Sequence, residues 1–165
     1  MKIIDDFLSE EDLKRLQDVM LSPDFPWYYN STIDYKDEKG KFQFIHAIYR
    51  WNRPLSNFYG DWYEKLIKPV IGDNTIIERI KANLLTKTTH IVENEFHVDD
   101  PTKKLSTSAI FYLNSNNGYT KFKDGTKVKS IENRLVKFPV AKEHTGTSCT
   151  DENVRVVINF HYIEL

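Results

Sequence analysis

The sequence predicts an α+β fold: a double-stranded β-helix (jelly roll) with N-terminal helices packed on one sheet. The first observation is that apolar residues recur at helical spacing in two stretches before residue 71. The second is that, from Thr75 onward, the chain is a series of short runs rich in β-branched and aromatic residues. Helices followed by many short strands are typical of helices packed on an antiparallel sheet.

The first helix is predicted from about Glu10 to Leu21. Ser9 can cap its N-terminus, and Asp12 stands three residues later, as in a capping box. Its apolar stripe consists of Leu13, Leu16, Val19 and Met20. A short apolar start at residues 3–4 is a candidate edge strand, and the proline at position 23 argues that the helix ends before it.

A second helix is predicted from about Ser56 to Val70, after a region of strands and loops. Its apolar stripe consists of Phe58, Trp62, Leu66, Ile67 and Val70. We expect the helix to fray at Pro69. Between the helices, Trp27–Tyr29 is a predicted strand, and Phe42–Tyr49 is either another strand or a long binding loop. The charged stretch from Asp34 to Lys41 is a predicted loop.

The second half of the chain is predicted to consist of strands and turns. The expected strands are Ile76–Thr86, Ser106–Asn114, Tyr119–Phe122, Ser130–Phe138 and Val154–Ile163. Turn signals such as Asn117-Gly118 and Asp124-Gly125 separate them. In a jelly roll the two sheets enclose a mouth at which strands on either side can present ligands. We expect one domain over residues 1–165.

The composition predicts a soluble protein without a strong charge. The chain has 23 basic and 24 acidic residues, a net charge of -1, and 40% hydrophobic residues. This balance argues against bulk binding of nucleic acid or of an anionic membrane. No apolar run approaches the roughly 20 residues that span a bilayer, and early acidic residues argue against a signal peptide. The single cysteine, Cys149, excludes an intrachain disulfide, so we expect a reducing cytoplasm.

His97 and Asp99 form the motif on which the functional hypothesis is built. They stand two residues apart on an extended segment, so both side chains point the same way and offer two ligands to a divalent metal. His144 is the best candidate for a third ligand, and His90 and Asp100 are weaker rivals. Two histidines and one carboxylate are the facial triad of non-haem Fe(II) oxygenases. Taken singly, each residue is equally well explained by a surface turn or a loop cap.

Arg155 opens the last predicted strand and offers a fixed cation. Alternation predicts that residues 155, 157 and 159 face one way and residues 156, 158 and 160 the other. A buried arginine can bind a carboxylate through two parallel hydrogen bonds, which suits the far end of 2-oxoglutarate. The residues therefore favour an Fe(II)- and 2-oxoglutarate-dependent oxygenase. The alternative for this arginine is an ion pair with Asp151 or Glu152.

Three further residues of types that can bind metals are explained better by a role in the structure than by metal binding. His46 and His161 are interpreted as structural residues. Cys149 lies between two candidate site residues, and a small loop residue explains it better than a metal ligand does. The aromatic stripe of the second helix is interpreted as part of the core.

These motifs together resemble the prolyl 4-hydroxylase-like branch of the 2-oxoglutarate/Fe(II) dioxygenases, in particular its short, single-domain viral and bacterial members. The resemblance covers most of the chain, and its segments are IIDDFLS at 3–9, HVD at 97–99, FYLN at 111–114 and GYTKF at 118–122. It implies metal ligands at His97, Asp99 and His144, and Arg155 on the side carboxylate of 2-oxoglutarate. It also implies Fe(II) and 2-oxoglutarate as cofactor and co-substrate, with ascorbate as a candidate reductant.

The chain departs from the family where a tyrosine often contacts the co-substrate. The comparable segment, residues 82–86, reads Ala-Asn-Leu-Leu-Thr. Asn83 or Tyr112 is the candidate replacement for that hydrogen bond. Arg155 stands where many prolyl hydroxylases have lysine, and Tyr119 displaces the second glycine of a Gly-Gly pair. These changes bear on prolyl specificity rather than on the cofactor chemistry.

The resemblance implies hydroxylation of a C–H bond with release of succinate and carbon dioxide. The substrate expected first is a prolyl residue of a peptide or protein, and the alternative is a free amino acid or other small metabolite. A nucleobase comes third because no basic stripe supports it. A non-oxygenase, cupin-like metal-binding protein is the alternative from another class, but it would not need Arg155. The segment from Trp27 to Trp51 is equally well explained as a substrate lid or as packing over the barrel.

Overall fold

The predicted jelly roll is present in the computed structural model, which describes residues 1–33, 40–100, 102 and 105–165. Its strands form two antiparallel sheets, and its helices precede most of the strands. Most of the predicted loop from Asp34 to Lys41 falls outside the described residues.

The helices lie in the first half of the chain. Helix α1 spans Glu10–Met20, and a second helical segment contains α2 (Phe58–Trp62), a π-helical turn (Tyr63–Ile67) and α3 (Lys68–Ile71). None of these helices has the length and the apolar run that crossing a bilayer requires, within the ranges that the structure describes.

Eleven strands are assigned within the described ranges. They are β1 (Lys2–Ile4), β2 (Tyr28–Asn30), β3 (Gln43–Arg50), β4 (Arg53–Pro54), β5 (Thr75–Thr86), β6 (Ser106–Tyr112), β7 (Tyr119–Phe122), β8 (Lys127–Lys129), β9 (Arg134–Pro139), β10 (His144–Gly146) and β11 (Val154–Glu164). The larger sheet has the order β1-β9-β6-β11-β5-β3-β2, with β4 paired to β3, and the smaller sheet has the order β10-β7-β8. Strand β11 therefore lies in the middle of the larger sheet.

Alternate residues of β11 point to opposite sides of the larger sheet. Val156, Ile158, Phe160 and Tyr162 are fully buried in the core that contains the helices. Residues 155, 157 and 159 line a cavity on the other side, between the two sheets. This confirms the predicted alternation and the predicted packing of helices on one sheet.

The predicted fraying at Pro69 is wrong. The helical segment continues to Ile71, and Pro69 lies in the first turn of α3, directly after the π-helical turn. The π-helical turn ends at Ile67, two residues before Pro69, so the hydrogen bond that the proline cannot make falls at the point where the π-helical pattern changes to the α-helical one. The segment also begins two residues after the predicted start at Ser56, at Phe58.

The predicted strand Ser130–Phe138 begins later than expected, at Arg134. Asn133 has a φ of 61°, in the left-handed region, and this interrupts the extended backbone before the strand. The sequence does not predict strands β4, β8 and β10, because these two- or three-residue strands contain no run of β-branched or aromatic residues.

Candidate metal centre

His97 and His144 are brought together by their own backbones. His97 N donates to the His144 carbonyl at 3.0 Å, and His144 N donates to the His97 carbonyl at 3.0 Å. This antiparallel bridge joins the segment before β6 to strand β10 of the smaller sheet. Their ring centroids are therefore only 4.6 Å apart, although the residues are far apart in sequence.

Asp99 completes a cluster with these two histidines. One ligand atom from each of His97, Asp99 and His144 lies within 4.8 Å of the other two. This separation is close to the span that bonds of about 2.0–2.2 Å on either side of one ion would cover. Two imidazoles and one carboxylate suit a divalent iron, zinc or similar ion, so the donor set fits the metal that the sequence motif predicts.

Hydrogen bonds fix which nitrogen of each histidine faces the centre of the cluster. His144 Nδ1 donates to the Lys142 carbonyl at 3.0 Å, and His97 Nδ1 contacts the Glu95 carbonyl at 3.3 Å. Because a carbonyl only accepts, each Nδ1 carries the proton and each Nε2 carries the lone pair that a metal needs. Burial also lowers the pKa of His144, which favours its neutral form.

Asp99 is only partly exposed, with a side-chain exposure of 11%, and it is ionised. Burial opposes its charge, but the hydrogen bond from His161, the nearby imidazoles and the hydrogen bond from Ser108 outweigh this effect. The pKa of Asp99 therefore lies well below its usual value. Ser108 Oγ donates to Asp99 Oδ2 at 2.6 Å. A negative ligand is thus held ready beside two neutral ones.

Arg155 lies at another part of the same cavity and is almost fully buried, with an exposure of 2%. Its Nε donates to Ser130 Oγ at 2.8 Å, and its guanidinium lies 5.7 Å from the Tyr112 ring centroid. No ion pair to Asp151, Glu152 or another carboxylate is formed within the described residues, so the structure gives no support to that alternative. Burial lowers the pKa of Arg155, but an arginine remains charged at neutral pH.

The cavity that contains these groups has a volume of about 300 Å³. Its walls include the three clustered residues His97, Asp99 and His144, and also Arg155 and Asn83. A buried cation without an anionic partner in the described structure indicates an anionic ligand, because an isolated buried charge is costly.

Asn83 and Tyr112, the two candidates for a further contact to the co-substrate, differ in position. Asn83 lines the cavity, and its Oδ1 is buried without a hydrogen-bond partner in the described structure. Tyr112 is fully buried and is not part of the cavity wall; its hydroxyl donates to Thr120 Oγ1 at 2.7 Å. Thr120 does line the cavity, so Tyr112 reaches the cavity through this residue.

The weaker candidate ligands lie outside the cluster. Asp100 Oδ1 accepts hydrogen bonds from the backbone and hydroxyl groups of Thr102, and neither Asp100 nor His90 belongs to the cluster of possible ligands found in the described residues. His46 lies on the other side of the larger sheet, where its ring contacts the Pro26 carbonyl and Ser56 Oγ, both at 2.8 Å.

His161 was interpreted as structural, but it contacts the cluster. Its Nε2 lies 3.1 Å from Asp99 Oδ2 and 3.1 Å from an Arg79 guanidinium nitrogen. The signal that could have identified it is alternation, because His161 stands six positions after Arg155 and therefore points to the same side of β11.

Comparisons with known proteins identify the fold. No protein-family model matches the chain, and no curated protein matches it. An oxidoreductase of the 2OG-Fe(II) oxygenase family from Burkholderia pseudomallei is 13% identical, with a TM-score of 0.66, over 98% of this chain and 84% of that chain. A prolyl hydroxylase from Trichoplax adhaerens, in complex with a hypoxia inducible factor peptide fragment, is 18% identical, with a TM-score of 0.67, over 99% of this chain and 83% of that chain.

A further similar structure is that of a protein with a different activity. The non-haem alpha-ketoglutarate-dependent epimerase SnoN from nogalamycin biosynthesis is 12% identical, with a TM-score of 0.69, over 98% of this chain and 75% of that chain. At these identities the likeness shows a shared fold. The predicted resemblance to 2-oxoglutarate/Fe(II) oxygenases is therefore confirmed at the level of the fold.

Proposed function

We propose that this chain is an Fe(II)- and 2-oxoglutarate-dependent oxygenase that hydroxylates a C–H bond. The observation that carries the proposal is a single cavity with a three-residue metal-ligand cluster on one part of its wall and the buried cation Arg155 on another. A metal-binding protein of another kind would not need a buried arginine that faces the same cavity without a carboxylate partner in the described structure. The shared fold agrees with this activity.

The residues of the cavity have separate roles in this proposal. His97, Asp99 and His144 hold the iron, and Arg155 binds the far carboxylate of 2-oxoglutarate. When bound, iron and 2-oxoglutarate would activate dioxygen, which is the oxidant: one oxygen atom would enter the substrate C–H bond and the other would enter succinate, with release of carbon dioxide. Asn83 offers a side-chain amide to the co-substrate, and a reducing compartment such as the cytoplasm suits Fe(II).

Apolar side chains help to keep this cavity dry. Leu85, Ile110 and Val157 line it beside the polar groups. Excluding water strengthens the attraction between Arg155 and a bound carboxylate, because fewer water molecules screen the charges. The protein thus contributes geometry and a low-dielectric site rather than the oxidising group itself.

For the substrate, we propose a prolyl residue of a peptide or protein. The prolyl hydroxylase from Trichoplax adhaerens, which shares the fold, was solved with a peptide. A small metabolite is the second candidate, because the epimerase SnoN, from a biosynthetic route, shares the fold equally well. The cavity wall also carries Arg50 and Arg79 at opposed positions of β3 and β5. Arg79 lies 3.6 Å from Asp99 Oδ1, whereas Arg50 is exposed, so Arg50 is the candidate partner for a substrate carboxylate and peptides with an acidic residue beside the proline belong in the test.

The first test is an anaerobic optical titration with Fe(II) and 2-oxoglutarate. We expect a weak visible charge-transfer band in the wild-type protein and no band in Asp99→Ala. Asp100→Ala is the matched control, because it removes the neighbouring carboxylate and should leave the band unchanged. Tight iron binding without a band would contradict the oxygenase proposal and favour a cupin-like metal-binding protein. If the band were lost in Asp100→Ala and kept in Asp99→Ala, the metal ligand would be Asp100 and not Asp99.

The second test addresses Arg155. Arg155→Gln should raise the concentration of 2-oxoglutarate needed for half of the band by about 10-fold or more, because a charged hydrogen-bonded pair is lost. Arg134→Gln is the control: Arg134 also lies on the larger sheet but pairs with Asp5, at 2.6 Å. An unchanged requirement in Arg155→Gln would place the anion site elsewhere.

The third test identifies the substrate class. Purified protein with Fe(II), 2-oxoglutarate and ascorbate is incubated in air, which supplies dioxygen, with proline peptides that have neutral or acidic neighbours, and with free amino acids. We expect a mass gain of one oxygen atom in a peptide. Oxygen gain only in a free amino acid would replace the peptide proposal by the small-metabolite one.

A further inference from the structure

We propose that His161 is a positioning residue that holds the metal ligand Asp99 in place through a hydrogen bond from Nε2. This proposal rests on the metal-binding part of the proposed function. It concerns a residue that lies outside the three-ligand cluster and that the sequence motifs left without a role. Its test measures metal binding, so it does not depend on oxygenase activity.

The register of the larger sheet places three side chains in one row around Asp99. His161 of β11 lies directly opposite Ser108 of β6 and opposite Arg79 of β5. Ser108 Oγ donates to Asp99 Oδ2 at 2.6 Å, His161 Nε2 lies 3.1 Å from the same oxygen, and an Arg79 nitrogen lies 3.6 Å from Oδ1. Residues from three adjacent strands therefore meet at one carboxylate.

The position of the ring proton decides what His161 does. Its Nε2 lies 3.1 Å from both Asp99 Oδ2, which only accepts, and an Arg79 nitrogen, which only donates. Within the described part of the chain, the ring's hydrogen-bond and ion-pair contacts are all made by Nε2. A proton on Nδ1 would thus lack an acceptor and would turn the Nε2 lone pair toward a carboxylate. Because Nε2 can either donate to Asp99 or accept from Arg79, but not both, the proton is assigned to Nε2, which donates to the charged Asp99, and the Arg79 guanidinium is left to pair with Asp99 Oδ1 at 3.6 Å.

This hydrogen bond opposes an alternative pairing of the metal ligand. Arg79 is a fixed cation close to Asp99 Oδ1 and can attract the carboxylate away from the histidines. Two donors on Oδ2, Ser108 and His161, restrain rotation of the carboxylate and keep it beside His144, whose Nε2 lies 3.8 Å from Oδ2. Partners of this kind are commonly worth about 10- to 100-fold in metal affinity.

The test compares two substitutions at position 161 in metal-free protein titrated with Mn(II), without oxygen or 2-oxoglutarate. His161→Phe keeps a ring but has no donor, and we expect its Kd for Mn(II) to be about 10- to 100-fold higher than the wild-type Kd. His161→Gln keeps an N–H donor at a similar distance from the backbone, and we expect a Kd within a few-fold of wild type. A wild-type Kd in His161→Phe would overturn the proposal.

Two further variants separate positioning from general damage to the fold. His46→Phe removes a buried histidine that also makes two contacts, on the opposite side of the sheet, so we expect lower thermal stability but an unchanged Kd. Arg79→Met removes the other neighbour of His161, and we expect Mn(II) to bind as tightly or more tightly because a positive charge is lost. If Arg79→Met raised the Kd for Mn(II) as much as His161→Phe does, His161 would act through Arg79 and not through its own hydrogen bond to Asp99.

The outcomes also separate this proposal from the proposed function. Wild-type protein that failed to bind Mn(II) would overturn the metal centre and the role of His161 together. Tight wild-type binding with no effect of His161→Phe would overturn the role of His161 alone. Tight wild-type binding without an Fe(II)–2-oxoglutarate band would overturn the oxygenase proposal and leave the role of His161 intact.

Discussion

Gly118 stands at a point where the chain passes very close to Arg155. A Cβ atom at this position would lie 2.7 Å from Arg155 Cδ, 2.7 Å from the Ser148 carbonyl oxygen and 2.8 Å from Asn116 Oδ1. Gly118→Ala must therefore displace Arg155 or the backbone. We expect a loss of about 1–3 kcal/mol in the free energy of unfolding, as for overpacked sites, and weaker binding of 2-oxoglutarate.

Gly60→Ala is the matched control for this substitution. Gly60 lies in α2, and apart from its chain neighbours and the backbone of its own helix, no atom of the described structure lies within 4 Å of the position that its Cβ would take. Alanine should therefore leave stability unchanged or raise it by about 0.5–1 kcal/mol, because it restricts the unfolded chain and favours helix. Urea unfolding and calorimetric titration with 2-oxoglutarate measure both effects. Wild-type affinity and stability in Gly118→Ala would contradict the close approach.

Asp99 links the stability of the metal-free protein to pH. Its folded pKa lies below its unfolded value of about 3.9, so its stabilising contribution is present above that value and is lost as the pH falls toward the folded pKa. We expect the free energy of unfolding to fall more steeply between about pH 5 and pH 3 in wild-type protein than in Asp99→Asn. Urea unfolding at several pH values tests this. Parallel curves for the two proteins would mean that Asp99 is not held ionised by the fold.

The sequence reveals some of these residues and hides others for a physical reason. The two-residue spacing of His97 and Asp99 is local, and so is the alternation that puts Arg155 on the cavity side of β11. The bridge between His97 and His144 joins residues 47 positions apart, which no local pattern specifies. The contact of His161 with Asp99 likewise depends on strand register.

At the scale of elements, Asn133 ties the start of the chain to the larger sheet. Its Oδ1 accepts from Leu8 N at 2.8 Å, and its Nδ2 donates to the Leu8 carbonyl at 2.9 Å. Asn133 also has a φ of 61°, which a residue with a Cβ adopts at a cost. Asn133→Ala should therefore lower the free energy of unfolding by about 2–4 kcal/mol, since it loses two buried hydrogen bonds and keeps the strain.

Asn133→Gly separates the two contributions. Glycine adopts a positive φ freely, so this variant should be more stable than Asn133→Ala by about 1 kcal/mol and still less stable than the wild-type protein. Urea unfolding measures the three proteins under the same conditions. If the glycine variant were as stable as the wild-type protein, the two hydrogen bonds to Leu8 would contribute nothing to stability.

Elements differ in how well the sequence predicts them. The first helix was predicted to within one residue, because its cap, acidic first turn and apolar stripe all agree: Ser9 Oγ accepts from Asp12 N at 3.1 Å, and the helix ends at Met20. The interruption before β9 depends on the left-handed backbone of Asn133, which asparagine tolerates but does not require. Short strands such as β10 form only because a partner strand is present.

At the scale of the molecule, the fold class follows from local patterns, but the order of strands does not. Helical spacing near the N-terminus and short alternating runs later predict helices on a jelly roll. The pairing of β1 with β9, at one edge of the larger sheet, joins Ile3 to Val136 and depends on contacts far apart in sequence. The cavity between the sheets is lined by residues of β3, β5, β6, β7, β10 and β11, which are likewise brought together by contacts far apart in sequence, so its lining could be predicted only in part.

A metal ion at the candidate centre would connect the two sheets. His144 belongs to the smaller sheet, whereas Asp99 is bound to the larger sheet by Ser108 and His161. Mn(II) at about 100 times its Kd should therefore raise the free energy of unfolding by about 2.7 kcal/mol, and the melting temperature by about 5–10 °C for a domain of this size. Thermal melts with and without Mn(II) measure the shift. Asp99→Ala should melt at the same temperature in both conditions, and an equal shift in this variant would mean that the ion binds elsewhere.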